Sequence, residues 1–361
     1  MNEGTKRVIT SILKPMSWLY GMVTGARNWM FDHGVLRVKS YDVPVISVGN
    51  ITVGGTGKTP HVEYIAGMLS LDYKMAVLSR GYKRKTRGFI LANSHSTPES
   101  VGDEPLQIFR KFGKHAKVAV CENRNKGIQE LLRLFPDIEL IVLDDAFQHR
   151  YVKPKISVLL MDYNKPIYED HLLPLGRLRE NPHQINRADM VVVTKCPENI
   201  TPIDCRLLKK NLDLMPYQQL YMSRYAYGDL QPVFPNDDPY SAHLSMLTER
   251  DTVFLLTGVA NPRSFVLHFQ KYPFKVKVCH FPDHHNYSRE DLKMIEDKFS
   301  KLPGERKIII TTEKDAVRLS YNPYYPPQLK AVTYYMPIEV RMMESSEDAD
   351  FITNLKKEID R

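Results

Sequence analysis

Val45-Ile-Ser-Val-Gly-Asn-Ile-Thr-Val-Gly-Gly-Thr-Gly-Lys-Thr-Pro60 is the stretch whose reading decides the fold. An apolar, β-branched run, Val43 to Val48, feeds a glycine-rich turn, and the helix-compatible segment His61 to Leu71 follows. Strand, loop and helix in that order make a phosphate-binding loop, here Thr52, Val53, Gly54, Gly55, Thr56, Gly57, Lys58 and Thr59. Gly54, Gly55 and Gly57 are expected to let backbone N–H groups turn inward around an anion, because residues with a Cβ resist the positive φ angles of such a nest. The following helix N-terminus adds partial positive charge. The motif assigns Lys58 to the β- and γ-phosphates of ATP and the Thr59 hydroxyl to Mg²⁺. Thr52 stands where the common pattern has its first glycine, so an ordinary glycine-rich turn is the competing reading.

Outward from this loop, the chain has 361 residues, enough for two domains, and its apolar content of 43% is ample for a core. A net charge of +8 favours anionic partners without choosing among nucleic acid, lipid and phosphorylated substrate. Cys121, Cys196, Cys205 and Cys279 form no metal-binding spacing and read as reduced, buried thiols of a cytosolic protein. At the N-terminus Lys14, Pro15 and Arg27 interrupt the apolar stretch and no cleavage site follows, so a removable signal peptide is not expected. Pro15 to Ala26 is too short to span a bilayer. Ile9, Ile12, Met16, Leu19 and Val23 recur at helical spacing beside Trp18, Tyr20, Trp29 and the basic Lys6, Arg7, Lys14 and Arg27. The pattern is read as a helix lying on a membrane surface, the alternative being a helix packed on the rest of the protein, because core helices show the same periodicity.

From residue 41 to about 215, strand candidates at 44–48, 75–79, 117–120, 140–144, 156–161 and 190–194 alternate with helical segments, the pattern of a doubly wound parallel sheet. The aromatic, extended-looking segments 217–230 and 331–340 are expected to pair as a two-stranded hinge to a smaller α/β domain. That domain has strand candidates at 253–258, 275–281 and 306–311 and a helix at 289–302, and 348–360 reads as a closing helix. The expected division is residues 1–31 for the N-terminal helix, 32–215 for the P-loop domain, 216–340 for the smaller domain with its hinge strands, and 341–361 for the C-terminal helix.

A phosphate loop needs a metal-binding acid at the end of a neighbouring strand, and Leu140-Ile-Val-Leu-Asp144-Asp145 supplies one. Adjacent residues of a strand face opposite ways, so one of Asp144 and Asp145 is expected to meet the metal and the other to orient a neighbour. Gln148 and His149 follow, and a lone histidine there also suits a structural role. Ser79 to Arg84 places hydroxyl, aromatic and cationic groups at another strand tip, where a solvated basic loop is the alternative. Asp103 and Glu104 open a helix, where capping is the alternative to catalysis.

Taken together, Val48 to Pro60, Ser79-Arg-Gly-Tyr82, Gly102-Asp-Glu-Pro105, Asp144-Asp-Ala-Phe-Gln-His149, Pro174-Leu-Gly-Arg-Leu-Arg-Glu180, Phe281-Pro-Asp-His284 and Thr312-Glu-Lys-Asp315 resemble the ordered motif set of the tetraacyldisaccharide 4'-kinase family. The resemblance runs from the N-terminal helix to about Arg318. It implies transfer of the γ-phosphoryl group of ATP, with Mg²⁺, to the 4'-hydroxyl of a membrane-borne acylated glucosamine disaccharide 1-phosphate in lipid A biosynthesis, at the cytoplasmic face of the bacterial inner membrane. Carried over by motif, Asp103 is the base that takes the hydroxyl proton, assisted by His284, with His285 as its rival. Asp145, Asp144 and Glu104 organise Mg²⁺ with Thr59, Gln148 and His149 line the site, and Ser79, Tyr82, Arg124 and Arg179 contact phosphate or substrate. Ala146 stands where the family commonly has Gly, and Arg177 where Pro is expected. The alternative is a membrane-associated ATPase switch of the partitioning type, whose signature Lys is replaced here by Val53. No pattern of a nucleic-acid module is present, and no obligate protein partner is implied.

Overall fold

The apolar run before the glycines forms β1 (Val45–Gly49), buried over its whole length. It lies inside a sheet, so both of its faces must be apolar. The computed structural model describes residues 3–235, 243–259, 262–283, 285–343 and 351–361.

The chain opens with α1 (Glu3–Asp32) and passes through β1 to α2 (Lys58–Leu69), β2 (Met75–Ser79), β3 (Ile90–Leu91), α3 (Pro98–Val101), α4 (Asp103–Phe112) and β4 (Ala116–Val120). Next come α5 (Arg124–Leu134), β5 (Leu140–Asp144), β6 (Ile156–Asp162), β7 (Met190–Thr194), α6 (Pro202–Leu212), β8 (Gln219–Tyr227) and β9 (Gln231–Pro232). The remainder comprises β10 (Thr252–Thr257), α7 (Arg263–Phe269), β11 (Lys275–His280), α8 (Arg289–Ser300), β12 (Lys307–Thr312), α9 (Glu313–Ser320), α10 (Pro327–Lys330), β13 (Thr333–Met336), β14 (Ile338–Met342) and α11 (Phe351–Asp360).

A nine-stranded sheet has the order β14-β8-β7-β6-β1-β5-β2-β4-β3, parallel except for its two edges, where β14 and β3 run antiparallel to their neighbours. Alternate strand residues feed opposite cores. Ile46, Val48 and Val77 pack with Val62 and Ile65 of α2 and with Leu355 of α11, whereas Val45, Ala76 and Leu78 pack with Ile128 and Leu131 of α5. A five-stranded sheet, β11-β10-β12-β13-β9, is covered likewise, by α8 and α9 on one face and α7 on the other.

The two aromatic segments pair antiparallel, β8 with β14 and β9 with β13, so both strands pass from one sheet to the other. One feature differs from the expected separate hinge. β8 also pairs parallel with β7 and is a full member of the larger sheet. Helix α2 starts at Lys58 rather than His61, because Pro60 in its first turn has no N–H to leave unbonded. Cys205 is half-buried whereas the other three thiols are buried, and all four are free. Residues 348–350 of the closing helix lie outside the described residues.

Helix α1 presents its apolar stripe outward, with Ile12, Met16, Trp18, Leu19, Val23 and Trp29 all more than half exposed. Its inward face is largely polar, with Phe31 buried near its end. Ser17 Oγ donates to Leu172 O at 2.8 Å, Tyr20 Oη to Arg179 O at 3.0 Å and Arg27 Nη2 to Gln148 O at 2.8 Å. The packed-helix reading of the stripe is therefore overturned: the face that docks on the protein is the hydrogen-bonding one. Lys6, Arg7 and Ile9 carry side chains outside this description. Among the described residues, no helix is long and apolar enough to cross a membrane.

Candidate active site

Parallel neighbours bring the phosphate loop and the acidic strand end together, since Val48 of β1 is in register with Asp144 of β5. In the loop, Gly54 and Gly57 adopt φ of 109° and 88° whereas Gly55 does not take a positive φ, so two of the three glycines supply the left-handed turns. A Cβ on Gly57 would also collide with the Tyr225 hydroxyl of β8, at 2.1 Å. Asn50 Nδ2 donates to Thr56 Oγ1 at 2.7 Å and Lys58 Nζ to Asn50 Oδ1 at 3.3 Å. From β7 and the residue after it, Thr194 Oγ1 donates to Thr56 O at 2.9 Å and Lys195 Nζ bonds Gly55 O and Asp162. Buried His61 donates through Nδ1 to Gly57 O at 2.7 Å, and its Nε2 lies 2.8 Å from Ser223 Oγ of β8. Burial lowers the His61 pKa to about 4, so at neutral pH the uncharged ring accepts from Ser223.

Asp144 and Asp145 have different surroundings. Asp144 is buried, accepts from Ser79 Oγ through Oδ2 at 2.8 Å, and leaves Oδ1 without a hydrogen-bond partner among the described residues. Burial, then the charges of Glu104 and Asp145, push its carboxyl up to about 6. Asp145 adopts φ 45° and lies 3.6 Å from Lys58 Nζ and 3.3 Å from Arg179 Nη1. Ser79, Arg80, Tyr82, Glu104, both aspartates and Arg179 line a cleft of about 190 Å³.

The orphaned Oδ1 and the three carboxylates suit a divalent cation. Among the described residues there is no cage of three acidic, His or Cys ligands.

The other expected site residues divide by what they touch. Gln148 Nε2 donates to Asn50 O at 2.7 Å while its Oε1 lies 3.3 Å from Arg179 Nη1, so it braces the loop against Arg179. Arg179 is tied to the loop's flank as well, its N–H donating to Ile51 O and Val53 N–H donating to Arg177 O, both at 2.7 Å. Arg124 was expected at substrate. It is 2% exposed and donates to the carbonyls of Cys121 and Asp144, both at 2.9 Å, which braces the acidic strand end. His149 is half-buried, held down to about pKa 4 by burial and by the nearby Arg124, Arg27 and Arg80. Tyr82 is exposed on the cleft rim.

Asp103 is the first residue of α4, and the capping position is Gly102 at φ 93°, which resolves the capping alternative. The Asp103 carboxylate instead meets the five-stranded half: Arg318 of α9 donates to Oδ2 from Nε at 2.8 Å and from Nη2 at 2.5 Å. Lys314 Nζ lies 3.1 Å from Glu104 Oε1 and 3.8 Å from Asp283 Oδ1. Fully buried Asp315 accepts from Gly258 N at 2.8 Å and from Thr312 Oγ1 at 2.7 Å and pairs with Arg318 at 3.3 Å. Lys314, Asp315 and Arg318 carry no role that the sequence alone assigns. The helix-start spacing of Thr312 and Asp315 was the available signal. His284 lies outside the described residues. Its rival His285 bonds Asp291 at 2.9 Å and stacks on Phe281.

Comparison with known proteins identifies the family of the chain. The family described as Tetraacyldisaccharide-1-P 4'-kinase matches residues 9–359. The chain belongs to the tetraacyldisaccharide 4'-kinase family. A family relative from Bacteroides thetaiotaomicron named tetraacyldisaccharide 4'-kinase is 49% identical over 93% of this chain and 90% of its own length. One of that name from Flavobacterium johnsoniae is 40% identical over 95% and 96%. A crystal structure of the family's LpxK from Aquifex aeolicus in complex with ATP is 30% identical, covers 97% of this chain and 98% of its own, and superposes with a TM-score of 0.72. The match along nearly the whole length displaces the partitioning-switch alternative.

Proposed function

We propose that this chain transfers the γ-phosphoryl group of ATP to the 4'-hydroxyl of a tetraacylated glucosamine disaccharide 1-phosphate, a step of lipid A biosynthesis, at the cytoplasmic face of the bacterial inner membrane. The observation that carries the reading is the pairing of the phosphate-loop strand with the acidic strand end, where Lys58 lies 3.6 Å from Asp145 and both aspartates share a cleft with Glu104 at the start of α4. Lys58 and the loop N–H groups hold the donor's phosphates. Asp144, Asp145, Glu104 and Thr59 would hold Mg²⁺, which supplies charge neutralisation at the phosphates. Asp103 takes the acceptor proton, a modest demand in phosphoryl transfer, where positioning and charge stabilisation dominate. His284 assists it, while Arg318 and Lys314 of the smaller half hold Asp103 and Glu104 in place.

The exposed apolar stripe of α1 supports a membrane-borne acceptor. A surface helix of this kind sits at the lipid boundary, and the polar face of α1 reaches Arg179 and Gln148 directly. Asp103→Ala is expected to lower turnover by about two orders of magnitude or more, the usual scale for a general base, while ATP binding by calorimetry persists. Unchanged phosphorylation of the lipid disaccharide would remove Asp103 from the mechanism.

A further inference from the structure

Away from the cleft, a partly buried ionic cluster joins the three helices whose first turns carry the site. Lys58 and Thr59 start α2, Asp103 and Glu104 start α4, and Lys314 lies in the first turn of α9. Lys111 Nζ, near the end of α4, lies 2.7 Å from Glu63 Oε2 of α2 and 2.6 Å from Glu313 Oε1 of α9. Gln107 Nε2 donates to Glu63 Oε1 at 2.8 Å. Glu63 and Glu313 are 5% and 8% exposed. One ammonium group thus serves two buried carboxylates, a costly arrangement unless it does something besides fill space.

Resting on the kinase reading above, we propose that Lys111 is a positioning residue for phosphoryl transfer: it holds the Asp103 helix in register with the phosphate-loop helix and with the α9 helix that supplies Arg318. Eight residues of helix, about 12 Å, separate Lys111 from Asp103, and a rigid helix carries a displacement at one end to the other. Misplacing a reacting group by about 1 Å costs up to 100-fold in rate.

A proton on Glu63 belongs to this arrangement. Burial pushes its carboxyl up to about 7, with Lys111 opposing and Glu313 adding to the rise. Glu313 is raised as well, by burial, while Lys111 is held above its ordinary range because the two carboxylates outweigh its own burial. The groups facing Glu63 are Lys111 and Gln107 of α4 and Glu313 of α9, with Arg110 of α4 and Tyr335 of β13 nearby. From β14 the Ile338 N–H reaches Glu313, whereas Glu339 and Arg341 pair with each other on the exposed side. The strands β1, β2 and β5 offer α2 apolar residues. Because the folded-state pKa of Glu63 lies above its ordinary 4.5, the associated stability is full below about pH 4.5 and is lost as pH rises through about 7. Above that pH the cluster holds an uncompensated negative charge.

The test is steady-state kinase activity of the full chain from pH 6 to 8.5 for wild type, Glu63→Gln, Lys111→Met and Lys111→Arg, with thermal unfolding measured alongside. Lys111→Met is expected to lower kcat by about 10- to 100-fold with KM for ATP within about threefold, and Lys111→Arg to recover most of it. Wild type is expected to lose Tm as pH rises from 6 to a little above 7 and then to level off, and to lose kcat as pH rises through about 7, both declines being absent from Glu63→Gln. The proposal is overturned if Glu63→Gln keeps the wild-type decline or if Lys111→Met lowers Tm alone. Should Lys111→Met fail to fold, the Glu63→Gln profiles decide. A wild type that transfers nothing to the lipid sinks the kinase reading instead, and the Tm profiles still test the cluster.

Discussion

At the scale of single residues, the site rests on groups whose charge is set by burial. Asp144 and Asp145 are sequence neighbours, yet one is buried and the other is half-exposed between Lys58 and Arg179. His61 shows the same control in a neutral group. Its pKa falls from 6.5 to about 4 on burial, a difference of about 3 kcal/mol. A depressed histidine contributes stability that is present above pH 6.5 and lost as pH falls through about 4. Wild type is therefore expected to lose more Tm than His61→Gln between pH 7 and pH 4.5. Parallel Tm profiles for the two proteins would show that His61 does not carry this linkage. The acids of the cleft were legible because strand ends and helix starts announce themselves locally. Arg318 was not, since it meets Asp103 across 215 residues of sequence and nothing in either segment specifies the partner. Arg124 was placed at phosphate or substrate by the family resemblance, and its burial against the carbonyls of Cys121 and Asp144 is visible only in the fold.

At the scale of elements, α1 is the informative case. Periodicity gave its stripe but not the direction the stripe faces, because core helices and surface helices share the same spacing. The polar contacts of Ser17, Tyr20 and Arg27 orient it, turning Trp18 and Leu19 to the outside. Each buries about 1.5–3 kcal/mol of apolar side chain on entering lipid. Trp18→Ser with Leu19→Ser is expected to weaken sedimentation with anionic vesicles by about tenfold or more while leaving α1 docked. Equal sedimentation of the two proteins would contradict a membrane role for the stripe. The strand β8 was harder to read. Its half-buried aromatics suited an isolated hinge, and only pairing with β7 makes it part of the larger sheet.

At the scale of the whole molecule, the phosphate loop and the Asp103 helix belong to the larger sheet, whereas Arg318 and Lys314 come from the smaller one. The paired strands β8 with β14 and β9 with β13 connect them, and β8 also meets His61 of α2 through Ser223 and lies beside Gly57 of the loop through Tyr225. The alternation of strands and helices made both sheets readable, because parallel strands must be apolar on both faces. Their mutual placement depends on ion pairs between distant segments and had no sequence signal. The central claim is phosphoryl transfer to a lipid sugar, and its most direct measurement is the fate of the label. The purified chain is incubated with ATP labelled in the γ-phosphate, Mg²⁺ and the acylated disaccharide 1-phosphate in detergent micelles, and the lipid is separated by thin-layer chromatography. The account predicts one labelled lipid carrying phosphate at the 4'-position. ATP hydrolysed with no label in the lipid would contradict it.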